Sequence, residues 1–357
     1  PLWRLRMYFR NSLFRMFAKI LQTPDLRLML KNSLAGLLHW QPKLDSADYH
    51  KYQLPYPELE IISHNANAVP KSTDEVIFIT GRFRCGSTML WNIFRNTEGY
   101  TAYYEPFNEG CWNKNRRKKE GTDPTHRKVE NYWKEYDNLQ STGGLFQKKW
   151  SLHNLYMDRS FYNQDMKNYI DLLIHKADWI PVLQFNRIDF RLPWFRAHYP
   201  EARIIHIYRH PRDQWCSTLR DLKSFPKDKK ISDFAAYDRF YLLEWVSDLK
   251  YHFPFLEQKY FDHPYQLFYL IWRLSFIFGA RYSDISVSLE NIVNDPDKHL
   301  EKIINSLHLN NIHVNECKKF IVRPVFNKWK DYADDVWFKN HEQVCEKILY
   351  EFYSMLK

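Results

Sequence analysis

The chain has 357 residues, enough for one large domain with appendages, and its nine glycines leave little room for long flexible linkers. A formal charge of +10 favours anionic partners: a nucleotide cofactor, an acidic acceptor or an acidic membrane surface. No nucleic-acid-binding module, no apolar run long enough to span a bilayer and no C-x-x-C pair is present. The five cysteines are widely spaced and odd in number, which suits free thiols in a reducing, cytoplasmic compartment. The chain begins at Pro1 rather than Met, so this reading leaves a signal or anchor upstream open.

Residues 1–40 are basic and amphipathic. Leu2, Leu5, Phe9, Leu13, Phe17 and Leu21 recur at helical spacing, with arginines mostly between them. Two readings stand: a helix packed on the fold or on a second copy, and a helix lying on an acidic membrane surface, giving peripheral membrane contact. Residues 41–75, punctuated by prolines, read as a connection.

Val76–Ile79 is a short apolar run, the pattern of a buried parallel strand. Gly81 to Ser87 is a turn with two glycines, and Thr88–Arg95 has helical spacing. Strand, glycine loop and helix together form an anion cradle, because loop N–H groups point inward and the helix start is positive. The spacing Gly81-x4-Gly86-Ser87-Thr88 nearly matches the nucleoside-triphosphate loop, but Ser87 stands where that loop has lysine. Its positive charge sits instead at Arg82 and Arg84, where a guanidinium can grip two oxygens of a tetrahedral anion.

Residues 101–104 read as a second parallel strand with Glu105-Pro106 at its end, where ligands of open α/β sheets bind. A carboxylate there can reach a transferring group or pair with a loop arginine. Residues 111–160 are irregular, basic and aromatic, and read as an insertion over the cleft or as a solvated face. Residues 161–177 are expected to be helical and 181–185 a strand, followed by Asn186-Arg187. Residues 202–220 repeat strand, loop and helix, with Arg209 at the strand end and Ser217 eight residues on, about two turns into the helix. A cation and a hydroxyl so placed can share a second phosphate. The spacing then predicts helices at 232–251 and 264–282, a strand at 283–289 and a closing helix over 340–356. The isolated histidines 175, 198, 206 and 210 read as structural.

Two motifs now carry a resemblance. Arg84-Cys85-Gly86-Ser87-Thr88 resembles the 5′-phosphosulfate loop of sulfotransferases that use 3′-phosphoadenosine 5′-phosphosulfate (PAPS), most like the carbohydrate and bacterial branches. Tyr208-Arg209-His210-Pro211-Arg212-Asp213 with Ser217 resembles that family's 3′-phosphate motif. The resemblance covers about 76–335 and implies a P-loop-like α/β fold: a central parallel sheet flanked by helices, here with a helical N-terminal extension and connection (1–75) and a C-terminal helix (336–357). It implies a sulfuryl transfer from PAPS to a hydroxyl or amine of a sugar, lipid or small metabolite, leaving adenosine 3′,5′-bisphosphate (PAP), with no metal. Glu105 would be the general base and Arg84 would stabilise the leaving phosphate. Arg82, Arg84, Cys85, Gly86, Ser87 and Thr88 would hold the 5′ end, Arg209 and Ser217 the 3′-phosphate. Lys328-Trp329 resembles the loop that closes over the cofactor. The cytosolic branch has Lys and His where this chain has Gln184 and Asn186, which moves the base role toward Glu105 and leaves Arg84 or Arg187 to support the leaving group. The competing readings are an ATP-dependent kinase, disfavoured by the missing lysine, and a non-catalytic membrane- or polyanion-binding protein, which leaves the paired motifs unexplained.

Overall fold

Five strands of the protein run parallel, because each is buried on both faces and must be covered by helices on either side. The computed structural model describes residues 62–63, 75–112, 126 and 129–355. The expected helices of residues 1–40, most of the connection 41–75 and most of the basic stretch 113–128 lie outside the described residues. The described elements fall in a unit of residues 44–250 and 254–357, while 251–253 group with 1–43.

In chain order, β1 (Ile62–Ser63) and β2 (Ile77–Thr80) lead into α1 (Ser87–Arg95) and β3 (Tyr100–Tyr104). Three 3₁₀ segments follow, and then α2 (Gln164–His175), β4 (Ile180–Phe185), α3 (Leu192–His198) and β5 (Arg203–Tyr208). The chain continues through α4 (Pro211–Thr218), α5 (Leu242–Leu249), α6 (Pro264–Tyr282) and β6 (Ile285–Ser288). It closes with α7 (Leu289–Asn294), α8 (Pro296–Ser306), α9 (Val314–Cys317) and α10 (Asp335–Met355).

The strand order is β1-β6-β5-β2-β4-β3, with β1 antiparallel at one edge. From β2 the chain steps outward to β3, returns to β4 and then crosses to β5 on the other side of β2. This reversal opens a crevice at the strands' C-terminal ends.

Helix α6 is buried all round, every residue from Pro264 to Ala280 included, and is mostly apolar for that reason. It lies against β5 on one side and α10 on the other. Glu342 and Glu346 of α10 accept hydrogen bonds from Tyr265 and Tyr269 (2.6 and 2.8 Å), which hold the C-terminal helix against α6. The single helix expected over 232–251 is broken. A 3₁₀ turn, Ile231–Tyr237, precedes α5, and Tyr241 between them has φ 60°. Asp238 causes the restart, accepting from the N–H groups of Leu242 and Leu243 at 2.9 and 2.7 Å. All five cysteines are buried and none is in a disulfide. Among the described residues no helix is long and apolar enough to cross a membrane.

Candidate active site

The turn after β2 is fixed by close approach. A Cβ on Gly81 would lie 2.2 Å from the carbonyl oxygen of Ile207, and one on Gly86 2.6 Å from Leu289. Gly86 has φ 96° and Arg84 φ 68°, so the loop holds two left-handed residues in succession around Cys85. This brings Ser87 and Thr88 to the start of α1, where the first helical N–H groups have no acceptor within the helix. Arg84, Gly86, Ser87 and Thr88 all line one open cleft of about 480 Å³.

The other two loop residues expected there face elsewhere. Arg82 is buried with its guanidinium 4.2 Å from the Trp245 ring, and burial lowers its pKa to about 10. The neighbouring Phe83 packs on Phe240 and Trp245, so Arg82 and Phe83 share the Trp245 ring while only Phe83 lines the cleft. Cys85 is fully buried beneath the loop, and burial pushes its thiol up to about 12. It shapes the turn by donating its N–H to the Arg82 carbonyl at 3.2 Å.

The residues that follow strands β3, β4 and β5 meet at the same crevice. Glu105 follows β3 with φ 39°, and its carboxylate lines the cleft while being 6% exposed. Asn186 donates to its Oε1; Arg187 forms a buried ion pair with Oε2, and Asn108 donates to Oε2 at 3.0 Å. The carboxylate therefore has both roles weighed for it within reach: it is ion-paired with an arginine, and it faces the cleft. Asn186 extends the network to the anion loop. Its Oδ1 accepts from the Ser87 hydroxyl at 2.8 Å and from Gln184 at 3.1 Å, and Gln184 also donates to Ser87 Oγ at 3.0 Å. Gln184 and Asn186 thus form a chain of donors that runs from Ser87 to Glu105. Across the cleft Thr88 Oγ1 shares a hydrogen bond with the Tyr104 hydroxyl (3.2 Å). Tyr104 in turn stacks on Tyr132, whose hydroxyl meets His126 at the cleft wall.

The second motif supplies the other end. Arg209 donates to Ser217 Oγ at 2.8 Å, so the cation and hydroxyl eight residues apart are in contact, and both line the cleft. Arg209 also donates to the carbonyls of Arg84 (3.4 Å) and Val325 (3.3 Å), bridging the anion loop and the C-terminal segment. Lys328 lines the cleft. Trp329 does not; it is buried, parallel to the His210 ring and 4.9 Å from the Arg212 guanidinium. Among the expected residues, then, Arg84, Gly86, Ser87, Thr88, Glu105, Arg209, Ser217 and Lys328 come together, and Arg82, Cys85 and Trp329 stand behind them.

A family model described as the sulfotransferase family matches residues 76–312. The chain belongs to the sulfotransferase family. A solved structure of sulfotransferase STF9 from Mycobacterium avium is similar at 12% identity, covering 93% of this chain and 85% of that one with a TM-score of 0.40. No curated protein matches. The matched span of this sulfotransferase contains the anion loop, Glu105 and the Arg209–Ser217 pair, whereas Lys328 lies beyond it.

Sequence reasoning overlooked the part played by Tyr104 and Asp213, and treated Asn186 only as a departure from the cytosolic branch. Strand register is the missing signal. Tyr104 pairs with Gln184 across β3 and β4, which sets Glu105 beside Asn186 just past both strand ends.

Proposed function

We propose that this sulfotransferase takes a sulfuryl group from PAPS and passes it to a hydroxyl or amine of an acceptor in the sugar, lipid or small-metabolite class. The single observation that carries this reading is the hydrogen-bonded Arg209–Ser217 pair in the same cleft as Arg84, Ser87 and Thr88. Two cationic clusters lining one cleft fit a nucleotide with phosphate groups on both its 3′ and 5′ positions. The donor set is cationic and hydroxylic throughout, as such a ligand requires. The P-loop lysine that reaches a triphosphate is replaced by Ser87, whose hydroxyl is already committed to Asn186.

In this reading Arg84, Thr88 and the amides opening α1 hold the 5′ end, and Arg209, Ser217 and Lys328 hold the 3′-phosphate. When bound, the donor supplies a sulfuryl group for in-line displacement, with charge spread over its equatorial oxygens. Arg84 then stabilises the negative charge that develops on the departing phosphate oxygen. Glu105 takes the acceptor's proton. Three of its roughly four acceptor positions are filled by Asn186, Arg187 and Asn108, and one position on Oε1 remains for the acceptor. Arg187 and Asn186 fix its direction. A cytoplasmic location, with peripheral membrane contact through residues 1–40, belongs to the same reading and rests on the sequence.

The test is a thermal shift with PAP beside ATP and Mg²⁺. A ligand that binds only the native state raises the melting temperature. PAP is expected to stabilise the protein and ATP-Mg²⁺ to leave it unchanged, while Arg209→Ala still unfolds cooperatively but no longer responds to PAP. Stabilisation by ATP-Mg²⁺ alone, or an undiminished PAP response in Arg209→Ala, overturns the reading.

A further inference from the structure

We propose that Asp213 is a positioning residue for donor binding: its carboxylate builds the turn that sets Lys328 in the 3′-phosphate end of the cleft. The inference rests on the donor reading above. Asp213 touches no part of the cleft wall. It sits in the first turn of α4, 2% exposed, where an ionised side chain must find full compensation. That compensation comes from the C-terminal segment. Oδ2 accepts from the N–H of Asn327 at 2.8 Å and Oδ1 from the N–H of Trp329 at 3.3 Å. One carboxylate therefore clamps the backbone on both sides of Lys328. Between those amides Asn327 holds φ 59°, the left-handed conformation that asparagine adopts more readily than most residues and that turns the backbone at this point.

The same helix aims the rest of the site. Ser217 lies four residues beyond Asp213, on the same face of α4, and bonds to Arg209. Arg209, the partner of Ser217, also donates to the Val325 carbonyl at 3.3 Å, three residues before Lys328, so the segment that carries Lys328 lies on the Ser217 side of the cleft. Arg212, next to Asp213, grips Glu342 through two hydrogen bonds of 2.8 and 2.7 Å and Asp335 through a third of 2.7 Å. The segment from 327 to α10 is thereby held to α4 at two adjacent residues, and a mainly structural tether is available in Arg212 without Asp213. What Asp213 adds is the local shape of the turn around Lys328.

The experiment is calorimetric titration of wild type, Asp213→Asn, Lys328→Ala and the double variant with PAP and with adenosine 5′-phosphate, which lacks the 3′ group. Asp213→Asn is expected to weaken PAP about tenfold and to leave the monophosphate within about twofold, because only the charge-assisted 3′ contacts are disturbed. The double variant should bind PAP no more weakly than Lys328→Ala alone, since residues acting through one contact are not additive. Equal weakening of both nucleotides, or additive losses, overturns the proposal. Hydrogen exchange on the wild type gives a second reading that needs no variant: the Asn327 and Trp329 amides should be protected, and exchange at the rate of free loop amides overturns the clamp. A wild type indifferent to PAP overturns the donor reading and takes this ligand with it, whereas normal PAP binding by both wild type and Asp213→Asn overturns this inference alone.

Discussion

A carboxylate that accepts a proton must be ionised before the reaction and must keep a lone pair for its acceptor. At the scale of single residues, Glu105 is ion-paired with Arg187 and keeps an open position on Oε1. Glu105→Gln is expected to keep PAP affinity, because the residue lies outside both phosphate-holding clusters. Turnover should fall by about 10²- to 10⁴-fold, the usual contribution of a positioned base. The variant also leaves the buried Arg187 charge without its counter-ion, so its melting temperature should drop. Calorimetry and a product assay check the two halves, and full turnover in Glu105→Gln removes it from the base role. Glu105 itself was legible in the sequence as a carboxylate at a strand end. Its partner Asn186 was not, because a hydrogen bond between residues 81 apart depends on which strands pair and in what register.

Secondary-structure elements carry the next constraint. Helix α6 approaches β5 so closely that a Cβ on Gly279 would lie 2.3 Å from the His206 ring. That ring is also fixed from β6, where Ser286 Oγ meets Nδ1 at 2.7 Å. Helix, strand and neighbouring strand thus share one contact point with no slack. Gly279→Ala is expected to cost about 1–3 kcal/mol, the usual penalty for overpacking. Gly144, whose added Cβ meets nothing within 4 Å, serves as the neutral control. Urea unfolding of both variants decides it: equal stability for Gly279→Ala and Gly144→Ala would mean that α6 can shift. The apolar run of α6 was plain in the sequence, and so were the parallel strands. The break before α5 was not, since the Asp238 cap that restarts the helix looks like any other surface aspartate.

Over the whole molecule, acid stability follows from histidines folded in neutral form. Burial lowers His206, His210 and His263 to about 3, with Arg212 and Arg209 adding to the effect at His210 and His341 at His263. The unfolded chain takes up protons at these positions near pH 6.5 and the native chain does not. Their contribution to stability is therefore complete above about pH 6.5 and is lost as the pH falls toward 3. Burial pushes the carboxyls of Asp189, Asp248 and Glu135 upward, which acts in the opposite sense at lower pH. The first loss should appear between about pH 6.5 and 5, where histidine titration leads. Urea midpoints measured at pH 7.5, 6.5 and 5.5 are expected to fall in that order, and a flat series would mean that these rings are protonated in the native state.

The sequence by itself determined the parallel α/β class, the anion loop, the Arg209–Ser217 spacing and the carboxylate at a strand end, because each depends on residues close along the chain. Local sterics and hydrogen-bond geometry fix strand, glycine turn and helix start within about a dozen residues. Tertiary structure alone decided which of two adjacent loop arginines faces the cleft. Arg84 does and Arg82 does not, since the Arg82 guanidinium is buried over the Trp245 ring of α5. It alone joined Ser87 to Glu105 through Asn186, and Asp213 to the turn around Lys328. Those contacts close loops of about a hundred residues, and only the pairing of strands and the docking of the C-terminal segment bring their ends together.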